Sequence, residues 1–399
     1  MATNQSLQDE LVVEGHLVDG GFSYVRVVVR NGFIVEITHL DGAGDGQIIS
    51  PGWIDLQING CNGFDFNGAY IVPEAVGLAL RSAWKFGVAG LCPTICTQSE
   101  SHMIRCLKAI AKACDADPLV ALSVVGIHVE GPFISAKDGP RGAHSVSHVR
   151  LPNLDEYRRW QAAASGRIRI VTMSPEYDES IPFIRGLVKD GVVVSIGHTA
   201  ASSDHIRAAV DAGATWSTHL GNGADAQIAR HPNYIWDQLS EDRLGAGLIF
   251  DGHHLPPAFM RAAVRSKTVE RCILVSDATA EAGLPSGIYK NFNDGAVELS
   301  ESGRLTLLGT PYLAGSARML PVCISNAVRY ADVTLSHAIR MVTRNPSRLL
   351  GLPTSAGYES VRVGALANLT VFRQGSEAET IAVLQTIIAG NMVFNVHQR

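Results

Sequence analysis

No uninterrupted apolar stretch of the chain approaches the roughly 20 residues that a membrane-crossing helix needs, so no membrane partner is expected. There is no basic tract either. The formal net charge is −5 and the isoelectric point near 6.3. Nucleic-acid binders usually show a clustered cationic face, so no nucleic-acid partner is expected. The amino-terminal residues Met1 to Ser6 show no charged-then-apolar leader pattern, and a cytoplasmic protein is the expectation. Internal repeats, low-complexity segments and long linkers are all missing. The seven cysteines (Cys61, Cys92, Cys96, Cys106, Cys114, Cys272 and Cys323) are an odd number without zinc-ribbon spacing. They read as buried free thiols in a reducing compartment.

What is present is a large apolar content, 46% of 399 residues, enough for one large core plus a smaller module. Residues 11–50 carry short strand-like segments, with the hairpin signal Asn31-Gly32 between two of them. Residues 367–372 and 386–394 have the same character. Between these ends, apolar runs alternate with helical stretches at Pro73 to Phe86, His102 to Cys114, Asp155 to Ala164, Ser202 to Ala212, Pro257 to Ser266, Met319 to Tyr330 and Ser336 to Thr343. Ser202 is a candidate N-cap and Gly213 a helix stop. The pattern predicts an α/β fold: a (β/α)8 TIM-like barrel over 51–355, with a small β-sandwich module built from 1–50 and 356–399.

Four apolar runs end in chemistry. Val124 to Val129 leads into Glu130, Val192 to Gly197 into His198, Ala214 to Thr218 into His219, and Cys272 to Ser276 into Asp277. Buried parallel strands read as such runs, and a (β/α)8 barrel builds its active site at the carboxyl ends of its strands. Any one of these residues alone reads more readily as a buried, hydrogen-bonded core group. Four together point to a site. Glu130, His198 and His219 offer a carboxylate and two imidazoles to one divalent ion, and catalytic zinc takes three protein ligands and keeps a fourth position open. Asp277 is placed to move a proton. His144 and His254 lie in loops beyond two strands and could orient a polar substrate. Asn222-Gly223 reads first as a turn. His128, two residues before Glu130, reads as core packing.

Several phrases resemble the N-acetylglucosamine-6-phosphate deacetylase family of the amidohydrolase superfamily. Pro51-Gly52-Trp53-Ile54-Asp55 is similar to the opening of an amidohydrolase barrel. Gly126 to Phe133, Gly197-His198-Thr199, Thr218-His219-Leu220, Asp251-Gly252-His253-His254, Ser276 to Ala280, Leu313 to Ser316 and Ala367 to Phe372 follow the family's order from about residue 10 onward. The resemblance implies a homodimer that hydrolyses an acetamide to acetate and an amino sugar phosphate. It implies Glu130, His198 and His219 as metal ligands, Asp277 as the catalytic carboxylate and His144 near the substrate. Asn222, Gly223, Arg230 and His254 match sugar- and phosphate-binding positions, the arginine reaching across from the partner subunit.

The chain departs from the broader pattern at two places. Many amidohydrolases carry His-x-His on the first strand; here Gln57 and Asn59 replace both histidines, and neutral amides are poor substitutes for imidazole on zinc. One metal per subunit, zinc, is therefore expected. The loop 225–236 is unlike the common phosphate loop, and Asp225 would repel a phosphate. That leaves another N-acetylated sugar open as substrate, either N-acetylgalactosamine-6-phosphate or an unphosphorylated N-acetylhexosamine. An inactive barrel serving as a binding or assembly protein is the reading from a different class.

Overall fold

The computed structural model describes residues 10–19, 21–290, 295–375 and 381–398; the leader reading on Met1 to Ser6 lies outside them. Eight parallel strands make the central sheet: β1 (Trp53–Ile58), β2 (Val88–Cys96), β3 (Ile127–Glu130), β4 (Ile168–Met173), β5 (Val193–Ile196), β6 (Trp216–Ser217), β7 (Gly245–Leu248) and β8 (Cys272–Leu274). They are hydrogen-bonded in sequence order. A parallel bridge between Ile58 and Ala278, with Asp277 N–H donating to Gln57 O across 2.9 Å, closes the sheet into a barrel. Every residue of β1, β2 and β3 is buried, as expected of strands covered on both faces.

The helical stretches expected from sequence are all helices, shifted by a few residues at their ends. Ser202 caps Ser203–Asp211 by accepting from the His205 N–H, and Gly213 follows at φ +112°. Four further helices, Pro118–Ser123, Ser180–Lys189, Tyr234–Ser240 and Arg344–Leu349, carry weaker signals. Ser180–Lys189 contains Pro182 and Gly186, both poor helix formers. Burial of Phe183, Ile184 and Leu187 against the barrel overrides that propensity.

The two chain ends meet in one seven-stranded sheet. Leu369–Gln374 pairs antiparallel with Ile48–Pro51, which pairs parallel with Leu11–Leu17. Its separate core includes Val13, Val25, Val27, Ile34, Leu369 and Val371. A three-stranded antiparallel sheet (Gly287–Lys290, Ala296–Leu299, Leu305–Leu307) follows β8 and was not expected from sequence. It packs on Val297, Leu299, Leu305 and Ala314 and forms a wall beside the barrel mouth.

Candidate active site

A cavity of about 450 Å³ opens at the carboxyl ends of the strands. Glu130 ends β3, and His198, His219 and Asp277 follow β5, β6 and β8 within three residues. Three of the four hold left-handed backbone, His198 at φ +48°, His219 at +31° and Asp277 at +49°. Side chains larger than glycine pay about 1–3 kcal/mol for such conformations, which persist where surrounding structure over-determines them, commonly at active sites. Here the turn bends each chain segment off its strand just where its side chain meets the cavity.

The imidazoles and the carboxylate converge. Glu130 Oε1 lies 3.2 Å from His198 Nε2 and 2.9 Å from His219 Nε2, and the two ring nitrogens are 3.0 Å apart. His198 Nδ1 donates to the Pro140 carbonyl at 2.9 Å, which leaves the Nε2 lone pair facing Glu130. Burial pushes the Glu130 carboxyl up, but the two imidazoles more than offset it and hold it well below the ordinary range. Three such atoms packed this closely could hold a cation at their centre. Donors on one tetrahedral zinc sit about 3.3 Å from each other, close to the spacing observed. Glu130, His144 and His198 also bring ligand atoms within 4.8 Å of one another. The set with His219 is the tighter one, and His144 Nδ1 is already engaged by Thr97 Oγ1 at 2.8 Å.

Asp277 stands beside this cluster. Asn59 Nδ2 donates to its Oδ1 at 2.7 Å, and Gln57 Nε2 lies 3.2 Å from the same oxygen and 3.0 Å from Glu130 Oε1. The two amides thus tie the carboxylates together at the positions where many amidohydrolases carry histidines. Burial, followed by the nearby Glu130 charge, raises the Asp277 carboxyl far above its usual range.

The remaining expected residues divide. His144, Asn222, Gly223 and His254 all line the cavity. His254 Nδ1 pairs with Asp251 Oδ2 at 2.8 Å. Burial pushes Asp251 up, yet the His254 contact and the backbone N–H groups of His254 and His253 outweigh it, holding the carboxyl at about 2. Asn222 forms the turn after His219, its N–H donating to His219 O at 2.9 Å. Gly223 is placed where a Cβ would lie 2.7 Å from His198 Nδ1. His128 is a core group: it bonds Leu56 O and Thr172 Oγ1, and burial lowers its pKa to about 4. Arg230 is exposed and does not line this chain's cavity. Asp225 is absent from the lining as well, and its Oδ2 is paired with Lys137 Nζ at 2.9 Å.

Sequence reasoning missed Cys96, Asp65, Thr279, Glu281, Lys290 and Arg304, all of which line the cavity. Lys290 ends the first strand of the three-stranded sheet and Arg304 immediately precedes its third. Asp65 and Glu281 face each other's charge, and burial raises Asp65 to about 7.

The chain matches the amidohydrolase family model over residues 48–393. It is 33% identical over 363 residues to the N-acetylglucosamine-6-phosphate deacetylase of Bos taurus, covering 88% of this chain and 85% of that protein. It is 30% identical over 338 residues to the N-acetylgalactosamine-6-phosphate deacetylase of Escherichia coli O157:H7, covering 84% and 86%. Its fold matches that of a Mycobacterium smegmatis N-acetyl-D-glucosamine-6-phosphate deacetylase, an aspartate-to-alanine variant in complex with N-acetyl-D-glucosamine-6-phosphate. That match has a TM-score of 0.85 at 27% identity, over 97% of this chain and 100% of the other. With a family match over most of its length, and relatives of this identity and coverage, the chain belongs to the N-acetylglucosamine-6-phosphate deacetylase family of the amidohydrolases.

Proposed function

We propose that this protein hydrolyses the N-acetyl group of N-acetylglucosamine-6-phosphate, releasing acetate and glucosamine-6-phosphate. The observation that carries the proposal is the meeting of Glu130, His198 and His219 within 3.2 Å, next to an Asp277 held by two amides, at the barrel mouth. The named activities of the relatives accord with it. A divalent ion on Glu130, His198 and His219, zinc in our reading, supplies a Lewis acid that acidifies water and polarises an acyl oxygen. In our reading one ion suffices, because Gln57 and Asn59 face the carboxylates with amide N–H donors where a second ion would want imidazoles.

Asp277 Oδ1 is held toward Asn59 and Gln57, leaving the other oxygen to take the proton of the attacking water. The same carboxyl can then hand that proton to the departing sugar nitrogen. With His144 Nδ1 bonded to Thr97 Oγ1 at 2.8 Å, the opposite ring nitrogen is left to contact the acyl oxygen in our reading. Asp251 fixes the His254 ring with its second nitrogen free for the sugar or its phosphate.

Lys290 and Arg304 give the cavity positive charge from within the chain, which supports a phosphorylated substrate. In our reading Arg230 acts across a homodimer interface; its exposure beside Ile228 and Trp236, two exposed apolar residues, supports this. Seven free, buried cysteines suit a reducing, cytoplasmic setting. Similarity to an N-acetylgalactosamine-6-phosphate deacetylase favours that 4-epimer as the second reading. Acetate release from N-acetylglucosamine and N-acetylgalactosamine, each with and without a 6-phosphate, tests the assignment. Preference for N-acetylglucosamine-6-phosphate supports it, and activity confined to the other epimer or to unphosphorylated sugars overturns it.

A further inference from the structure

Glu281 is only 6% exposed, yet among the described residues no hydrogen bond or ion pair reaches its carboxylate. It lines the same cavity as Asp277. Its position is fixed by the backbone: Asn62 N–H donates to Ala282 O at 2.8 Å and Gly63 N–H to Ala280 O at 2.7 Å, sewing the segment after β8 to the one after β1. Across that seam stands Asp65, whose Oδ1 is occupied by the Asn67 N–H at 2.7 Å. Two carboxylates thus form one wall of the cavity. Lys290 lines the cavity too, but no ion pair joins it to Glu281.

The Glu281 oxygens face the cavity's solvent, so a ligand that displaces that water must bring hydrogen-bond donors of its own or leave the carboxylate unpaired at a cost. The ligand groups available in an amino sugar phosphate are its ring hydroxyls. The phosphate itself is excluded from this wall by like charge. We infer that Glu281 is a specificity residue whose carboxylate accepts a hydrogen bond from a sugar hydroxyl, so that the cavity selects hydroxylated ring substrates. The inference rests on the proposed deacetylase activity. A site built to bond a hydroxyl rejects analogues lacking it far more strongly than an apolar site does, because its own polar group is then left unpaired.

The test is a kinetic cycle on the metal-loaded full chain, with wild type, Glu281→Gln and Glu281→Ala. Each is assayed on N-acetylglucosamine-6-phosphate and on its 1-deoxy, 3-deoxy and 4-deoxy analogues, with bound metal and melting temperature measured in parallel. On the full substrate, Glu281→Ala is expected to lower kcat/KM about 10- to 100-fold at unchanged metal content. Against one deoxy analogue, wild type and variant should then differ by less than about threefold, since the partner hydroxyl is already gone. A variant that loses the same factor on all four compounds, or none on any, overturns the inference. A wild type that deacetylates no N-acetylhexosamine overturns the proposed function instead, and with it the premise of this one.

Discussion

Asn59 Nδ2 and Asp277 Oδ1 lie 2.7 Å apart, so an amide on the first barrel strand's exit holds the carboxylate on the last. The contact fixes one Asp277 oxygen, and the proposed mechanism gives the proton transfer to the other. Asp277→Asn keeps shape and removes the proton acceptor. General acid–base groups contribute about 10²–10⁴-fold, so kcat should fall by about 10³-fold with bound metal unchanged. Metal analysis alongside an acetate assay checks this, and activity within tenfold of wild type would rule out Asp277 as the proton carrier.

The same amides underlie the proposed metal count. Gln57 and Asn59 turn amide N–H groups to the carboxylates and are poor substitutes for imidazole, so one ion per chain is expected by elemental analysis. Chelation should abolish acetate release, and one equivalent of zinc should restore it. Glu130→Gln should lose both metal and turnover. Two tightly held ions per chain would refute the single-metal reading.

Gly223 sits at φ +55° with its missing Cβ aimed 2.7 Å from His198 Nδ1, the atom that bonds Pro140 O. Gly223→Ala must push the ring or break that bond. Loss of such a supporting contact typically weakens metal binding about 10–100-fold. Competition with a fluorescent zinc chelator measures the change, and unaltered affinity would show that the loop yields without disturbing His198.

Glu130, His198, His219 and Asp277 were legible in the sequence because each closes an apolar run, and strand ends converge in a barrel whatever lies between them. Glu281 was not legible. In Ala280-Glu281-Ala282-Gly283 it reads as a surface turn, and only pairing with residues 62 and 63, more than two hundred positions earlier, buries it. The three-stranded sheet escaped notice for a related reason. Its strands are three or four residues long, and their apolar faces acquire meaning only against the loop carrying Ala143. Arg230 was reachable only through family resemblance, and a single chain leaves it exposed outside the cavity.

Lys290 and Arg304 are both exposed, so their field is long-ranged and easily screened. Replacing both with glutamine should raise KM for a 6-phosphorylated substrate roughly tenfold at low salt while leaving kcat nearly unchanged. The effect should shrink as salt rises, and unphosphorylated substrate should be indifferent. An equal rise in KM for both substrates would mean that the two residues shape the wall and do not bind phosphate.

Asp55 gives the fold a pH dependence separate from the chemistry. It is fully buried at the start of the barrel and accepts from Ser276 Oγ at 2.5 Å, Ser276 N–H at 3.2 Å and Gln57 N–H at 3.3 Å. Burial nevertheless raises its carboxyl from 3.8 to about 7, outweighing those bonds. The folded state therefore holds a proton that the unfolded chain releases near pH 4. Stability from this group is complete below about pH 4 and declines as pH rises toward 7, by up to about 4 kcal/mol. Asp55→Asn keeps a carbonyl acceptor and cannot ionise. Its stability relative to wild type, from urea unfolding at pH 4.5, 5.5, 6.5 and 7.5, should improve steadily across the series. A constant difference would mean that Asp55 is ionised in the fold, with its three donors sufficient to hold the charge.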